Sequence, residues 1–444
     1  MRKFGVVSLG CDKNRIDTEN MIAYMIEGGY SVTADSSEAE VIIINTCGFI
    51  KSAIEESINT IFEMAEKKKE KCKYLVVTGC MSQRFMDELS TQMPEVDLFI
   101  GTMNYHKIAQ LINSLYANNG IKILKNDIND REFTSKRYLT TPPHYAYLKI
   151  AEGCSNRCTY CAIPSIRGKY TSRPFEEIIA EVKILKENTF LKELILIAQD
   201  VTKYGEDLYQ QNRLIELIKT LDNFDIPWIR LLYCYPELVS EELIKTIVES
   251  KHILHYLDIP LQHISSTVLK RMNRRVNKEE IESLIKMIRK YDPNFIIRST
   301  FIVGFPGETE EDFEELKSFL TEYKLDRVGF FMYSREEGTP AYKLPNQIDS
   351  KTKKRRYNEI YNLQRNILAE KQKQKVGFLY DVIYEGIDYD KEMFFGRNKE
   401  NAPEIDAKVY FNSKITLEVG NIYTVRITGY DDIDLSGEVV YEQD

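Results

Sequence analysis

Histidine and tryptophan are scarce in this sequence, with five and one in 444 residues. So few imidazoles leave little material for the mixed Cys/His sites typical of zinc. Long apolar runs are missing too: stretches such as Val41–Ile44 are far too short to span a bilayer. The opening "MRKFGVVSLGC" has neither a long apolar segment nor a small-residue cleavage site, so no signal peptide is expected. There is no low-complexity tract, and 43% hydrophobic with 29% charged residues is the composition of a globular chain. These absences predict a cytoplasmic protein with no membrane partner, whose thiols stay reduced. Eight cysteines in such a chain point to metal binding or catalysis before disulfides, and no disulfide partner is expected.

The length allows two or three domains. In the first piece, "KFGVVSLGC", "EVIIINTC" and "KYLVVTGC" are continuous apolar runs separated by helical patterns. That alternation predicts a parallel sheet covered on both faces. Cys11, Cys47 and Cys80 each follow a strand, and ligand sites in open α/β sheets gather at the carboxyl ends of strands. The three can therefore meet at one sheet edge although 36 and 33 residues separate them.

The alternation continues through strands predicted at 146–151, 193–199, 228–235, 256–260, 295–304 and 327–334. Six βα units fall short of a closed eight-fold barrel, so a partial (βα)6 barrel is expected. A basic connector follows at 351–375, with nine Lys/Arg against two Asp/Glu. Its apolar spacing predicts an amphipathic helix packing back on the barrel; a ribosomal RNA contact is the alternative use of its charge. The tail reads as four short runs, "FLYDVIYEG", "DAKVYF", "IYTVRITGYD" and "SGEVVYE", which predict a small antiparallel β-barrel. Residues 376–444 carry six basic and fifteen acidic side chains, net −9, while the rest of the chain has 54 basic against 53 acidic. The expected organisation is thus an α/β chain of three parts: 1–140, 141–375 and 376–444.

The sharpest signal is "EGCSNRCTYCAIP", with Cys154, Cys158 and Cys161 inside eight residues. Three thiolates on a four-iron cluster leave one iron without a protein ligand, and an open position suits catalysis where full ligation suits structure. The spacing CxxxCxxC, with Tyr160 before the last cysteine, resembles the signature of radical S-adenosylmethionine (SAM) enzymes. Together with "GC" at 10–11, "NTC" at 45–47, "TGC" at 78–80 and the tail, nearly the whole chain resembles the radical-SAM methylthiotransferases. "SLGCDKN", "EGCSNRCTYCAIPSIRGKYTSRP" and "APEIDAKVYF" are similar to the RimO-type branch, which acts on an aspartate of ribosomal protein S-twelve. The tRNA-modifying branch more often resembles "GCQMN" where this chain has Asp12, Lys13 and Asn14.

The resemblance implies an amino-terminal cluster domain, a radical-SAM partial barrel and a carboxyl-terminal TRAM domain. It implies two [4Fe–4S] clusters, one on Cys154, Cys158 and Cys161 with SAM on its free iron, the other on Cys11, Cys47 and Cys80 carrying the sulfur to be transferred. Reductive cleavage of SAM, with electrons from a donor protein, would yield a radical that takes hydrogen from the aspartate β-carbon. A second SAM would supply the methyl group. No catalytic residue beyond the cluster ligands is implied. The rival readings are the same chemistry on a tRNA adenosine, and a non-catalytic iron–sulfur RNA-binding protein.

Three further residues are candidates for SAM contacts. Tyr160 would pack near the adenine; Gln199 ends a barrel strand at the carboxyl edge; Gly304, in "VGFPGETEED", lies by resemblance along SAM, with a plain turn as the alternative. That segment is no phosphate loop, since it lacks the Gly-Lys-Ser/Thr ending. Cys72 and Cys234 fit neither triplet and read as core residues. His263 reads as a satisfied polar residue.

Overall fold

The computed structural model describes residues 1–117, 122–124, 128 and 133–441. The amino-terminal sheet is built from β1 (Arg2–Ser8), β2 (Tyr30–Val32), β3 (Val41–Thr46), β4 (Tyr74–Gly79), β5 (Leu98–Ile100) and β6 (Ile123–Leu124). All pair in parallel, in the order β2-β1-β3-β4-β5-β6. All six residues of β3 are buried, because helices cover both faces: Ile42 and Ile44 enter one core, Val41 and Ile43 the other. The three additional strands β2, β5 and β6 are only two or three residues long, too short to carry a periodicity of their own.

The central sheet comprises β7 (Tyr145–Lys149), then, after the antiparallel pair β8 (Ala151–Glu152) and β9 (Thr171–Ser172), β10 (Glu193–Ile197), β11 (Trp228–Leu231), β12 (Ile253–Asp258), β13 (Ile296–Val303) and β14 (Arg327–Met332). Its order is β14-β13-β12-β11-β10-β7, parallel throughout, and the two edge strands do not close on each other. The expected six-stranded partial barrel is what forms. Its helix-covered face carries Leu148, Leu196, Leu231, Leu257 and Phe301. The opposite face carries Tyr147, Ile195, Trp228, Tyr256 and Ile296, and it is filled from both flanks, by Ile16 of the amino-terminal part and by Ile383 and Ala402 of the tail.

The turn after β13 is fixed by local chemistry. Thr309 caps the helix Glu310–Tyr323, and its backbone N–H donates in return to the Asp312 carboxylate. Thr309→Ala removes this cap and is expected to lower stability by about 1 kcal/mol, measured by denaturant unfolding.

The tail forms the expected small β-barrel, antiparallel but for one pair. Its strands β15 (Leu379–Asp388), β16 (Met393–Asn398), β17 (Val409–Asn412), β18 (Ile422–Asp431) and β19 (Asp434–Val439) form a closed barrel in the order β15-β16-β17-β19-β18. β17 and β19 pair in parallel, which closes the barrel; the remaining pairs are antiparallel. β16, which sequence reading passed over, is a short run interrupted by Gly396. Glu442, at the end of the last expected run, and residues 443–444 lie outside the described residues.

The connector is one helix, Ser350–Gln374, packed on the barrel through Ile360 and Ile367. Much of its positive charge is answered within the molecule: Arg355 pairs with Glu310, Arg356 with Glu308, Arg365 with Asp432 and Lys371 with Asp326. No helix among the described residues is long and apolar enough to cross a membrane.

Candidate functional site

The first triplet is assembled by strand ends and two asparagines. Cys11 follows β1, Cys47 follows β3 and Cys80 follows β4, three adjacent strands. Asn14 Nδ2 donates to the Leu9 carbonyl (2.9 Å) and the Thr46 carbonyl (3.1 Å), and Asn45 Nδ2 donates back to the Asn14 carbonyl (2.8 Å). These bonds tie the first two cysteine loops together. Ser57 Oγ holds both the N–H and the carbonyl of Cys47. Gly10 has φ +90°, and a Cβ there would lie 2.9 Å from Cys47 Cβ. Gly79 has φ +93° and would drive a Cβ to 2.4 Å from the Thr46 carbonyl oxygen, so the "GC" pairs exist because the loops must touch.

The second triplet lies in the loop after β8. Cys161 N donates to the Cys158 carbonyl (3.1 Å) and Cys154 N to Gly168 (3.1 Å). The loop is pinned to the rest of the barrel by Thr159 N on the Met272 carbonyl. Arg274 stacks over the Tyr235 ring at 4.4 Å and points Nη1 toward Cys158 Sγ at 3.8 Å.

The two triplets are in contact. Cys80 packs against Ala162 and Ile166, just beyond Cys161. The buried Arg167 donates to Cys80 Sγ (3.4 Å) and to Asn14 Oδ1 on the amino-terminal side, and to Glu152 Oε2 (3.0 Å) on the barrel side. Lys149 bridges Asp17 (2.6 Å) and Glu152 (2.8 Å) beside it. Five buried charged or amide groups thus weld the two cysteine loops into one site.

All eight cysteines are free thiols. Burial pushes Cys154 up to about 11, and Cys80 and Cys161 to about 12, with Arg167 opposing the rise at Cys80. Thiols so placed stay protonated at neutral pH unless a metal replaces the proton, so they fit cluster ligands and not free nucleophiles. Among the described residues no three His, Cys, Asp or Glu side chains close on a single metal ion. A four-iron cluster would be a larger object than one ion, and each of three thiolates would meet a different iron of it.

Gln199 donates Nε2 to Glu152 Oε1 (2.7 Å), and its buried Oε1 has no partner. Tyr160 packs edge-on to Phe305, 6.5 Å between ring centres, in a cluster with Tyr333. Gly304 stands apart from the triplet: φ is +72°, its N–H goes to Glu308 Oε2 (2.6 Å), and Lys353 lies across its Cα face. Its observed contacts are those of a turn. His263 is only half satisfied. Nδ1 accepts from Ser265 N, Nε2 has no hydrogen-bond partner, and burial drops its pKa to about 4, which keeps it neutral. Cys72 and Cys234 are buried in hydrophobic cores, as expected.

Sequence reading missed Glu152, Arg167 and Arg274. The acid preceding "GC" and the arginine six residues after Cys161 were the available signals. Lys13 was seen only as part of a motif; the structure buries it to 7% exposure with its ammonium over the Tyr233 ring. A cavity of about 290 Å³ lined by Gly10, Cys11, Asp12, Arg15, Thr140 and Glu404 opens beside the first triplet.

Comparison with known proteins bears on this arrangement. A model described as "Radical SAM superfamily" matches residues 148–320, "Uncharacterized protein family UPF0004" matches 3–101, and "TRAM domain" matches 376–440. A Clostridium botulinum protein named "Ribosomal protein uS12 methylthiotransferase RimO" is 50% identical, covering 98% of both chains. A protein of the same name from Acetivibrio thermocellus is 46% identical, covering 99% of both. The chain belongs to the RimO family. Solved structures add the fold alone. The radical SAM methyltransferase TsrM from Kitasatospora setae is 12% identical with a TM-score of 0.58, over 77% of this chain and 74% of that one. The cobalamin-dependent radical enzyme OxsB gives 0.51 at 13% identity, over 83% and 56%. Within a RimO-family chain, the contact between the two cysteine loops becomes the feature to explain.

Proposed function

We propose that the protein is a radical-SAM methylthiotransferase that adds a methylthio group to the β-carbon of an aspartate in ribosomal protein uS12, using SAM and two [4Fe–4S] clusters. The observation that carries this reading is the direct apposition of two three-cysteine loops through Arg167. Cys154, Cys158 and Cys161 would hold one cluster and Cys11, Cys47 and Cys80 the other, each with one iron left free of protein. When bound, these groups and SAM supply one-electron reduction, hydrogen abstraction and the transferred sulfur and methyl groups.

The chain's own residues position and shield. Arg167 and Arg274 direct N–H groups at Cys80 and Cys158, and hydrogen bonds to sulfur are one lever on cluster potential. Tyr160 and Gln199 flank the barrel-side loop where SAM would lie, and Gly304 would serve it by shaping the adjoining turn. The acidic tail exposes Asp381, Asp390, Glu392 and Asp431, a surface suited to a basic ribosomal protein and unsuited to a phosphate backbone. On the connector helix Lys351, Lys354 and Lys373 remain exposed, and a ribosomal RNA contact would use them. The reaction takes place in the cytoplasm and draws electrons from a donor protein.

The test compares cells with and without the gene. uS12 is expected to lose the mass of one methylthio substituent when the gene is absent, with tRNA nucleosides unchanged. A changed tRNA nucleoside with unchanged uS12 would overturn the substrate. Reduced protein that forms no 5′-deoxyadenosine from SAM would overturn the enzyme reading.

A further inference from the structure

A recess of about 150 Å³ opens from the surface onto Cys158. Its walls carry Arg157, Arg274 and Arg275, with Tyr235 beside them and Glu237 as the only acid. The stretch that supplies two of these arginines, residues 269–278, holds five basic side chains and no acidic one. It is fastened to the cysteine loop. Asn273 Nδ2 donates to the Arg157 carbonyl (2.8 Å), and Thr159 Oγ1 donates to the Arg271 carbonyl (2.8 Å). At the base of the recess Cys158 Sγ lies 3.8 Å from Arg274 Nη1 and 4.0 Å from Tyr235 Oη.

The charges at this recess are unspent. Arg157 and Arg275 are exposed, and among the described residues neither lies within ion-pair distance of a carboxylate. The same holds for the exposed Lys270 and Arg271 on the adjoining run. Arg274, buried beneath them, has an Nε without a partner, and Glu237 stands off from it at 3.9 Å. The chain as a whole carries −8, so this basic patch is a local exception to its charge. Unpaired surface cations of one sign steer and orient an acidic partner. The place is equally informative. The far end of the cysteine loop is taken by the other triplet, since Cys80 packs on Ala162 and Ile166 beyond Cys161. The recess reaches the barrel-side thiols from the opposite end of the loop and leaves that contact undisturbed.

We propose that this recess is the docking site of a small acidic flavoprotein, which delivers electrons to the cluster that Cys158 would hold. The proposal rests on the function given above, whose cleavage of SAM consumes an electron. Each encounter passes one electron: the reduced flavin is oxidised by one, the cluster is reduced by one, and no atom changes hands. The concave shape selects a flavin over an iron–sulfur carrier. A planar ring can push its edge into a recess of this size beside Tyr235, whereas a cluster stays beneath its own protein surface. Contacts between redox partners are small and transient, so charge carries much of the recognition.

The experiment uses the full chain, anaerobically reconstituted, and takes as its probe a flavodoxin, a small acidic FMN protein. Arg157→Glu combined with Arg275→Glu reverses two exposed charges and touches no contact to sulfur. Wild type is expected to bind the flavodoxin with an affinity that falls as salt rises. The double variant should bind about tenfold more weakly or worse. Formation of 5′-deoxyadenosine driven by reduced flavodoxin should slow by a similar factor. Formation driven by dithionite, a small reductant that needs no docking, should stay at the wild-type rate, and so should iron content. Arg157→Lys combined with Arg275→Lys should keep most of the binding. Equal binding by wild type and the Glu variant overturns the proposal. So does an equal loss with both reductants, which would make the arginines supports of the cluster alone. A ferredoxin that binds through these arginines where flavodoxin does not overturns the choice of a flavin carrier. Wild type that forms no 5′-deoxyadenosine with dithionite overturns the function proposed above, and the binding measurement keeps that result distinct.

Discussion

Cys80→Ala is expected to abolish methylthio transfer while SAM cleavage to 5′-deoxyadenosine stays measurable. Cys158→Ala should abolish both. The asymmetry follows from the division of labour between the loops: the barrel-side triplet would activate SAM, and the amino-terminal triplet would hold the sulfur. Reconstituted wild type should carry about eight irons, and loss of either whole triplet should leave about four, as two four-iron clusters require. Iron analysis and 5′-deoxyadenosine assay on the same samples decide it. Unchanged iron after loss of Cys11, Cys47 and Cys80 would remove the second cluster from the mechanism. Cys80 is also in contact with Ala162 and Arg167, so the iron count of Cys80→Ala should be read beside that of Cys11→Ala, whose thiol is exposed.

Glu193→Leu should cost about 3–5 kcal/mol of stability, the usual penalty for leaving a buried charge without its partner. Glu193 is fully buried at the start of β10 and divides its two oxygens between Arg230 and Arg397, each at 2.6 Å. Arg397 belongs to the tail, and Arg230 donates to the carbonyls of Lys399 and Asn401 there. The substitution leaves the buried Arg230 without a carboxylate, while Arg397 keeps Glu385 (2.8 Å). Denaturant unfolding should show the loss, and limited proteolysis should cut the tail free earlier than in wild type. Glu193→Gln, which keeps one acceptor, should lose less. An unchanged unfolding midpoint in Glu193→Leu would mean that the tail does not depend on this triad.

Why the tail needs such an anchor is visible in residues 399–406. Arg327 donates to Asn401 Oδ1 (2.7 Å), Tyr256 to Asp406 (2.8 Å), and Arg15 pairs with Glu404 (2.8 Å). The segment lies against the inner face of the partial barrel and reaches the amino-terminal part. "APEIDAKVYF" was legible in the sequence as a family mark, but nothing in its composition says that it plugs a barrel. An unclosed barrel exposes an apolar face, and some other part of the chain has to cover it.

The sequence by itself determined the local patterns. Runs such as Val41–Ile44 and Leu194–Ile197 are buried on both faces, so their side chains are apolar without alternation, and parallel strands follow. The cysteines at strand ends, the glycines that let their loops touch, and the three-cysteine spacing at 154–161 are likewise local marks. The two- and three-residue strands carried no such mark and were missed, as was the parallel β17–β19 pair, which depends on barrel closure and not on either strand.

Only the tertiary structure decided how the charges are spent. The connector's sequence predicts a helix packing on the barrel and leaves an RNA contact as the alternative use of its charge; it does not say that Glu308, Glu310, Asp326 and Asp432 pair with four of its cations. Arg167 becomes the bridge between the two cysteine loops only when Asn14, Cys80 and Glu152, distant in sequence, are brought around it. Hydrophobic periodicity is a property of adjacent residues and survives in the sequence. The partner of a buried charge is chosen by the fold, and no spacing along the chain records it.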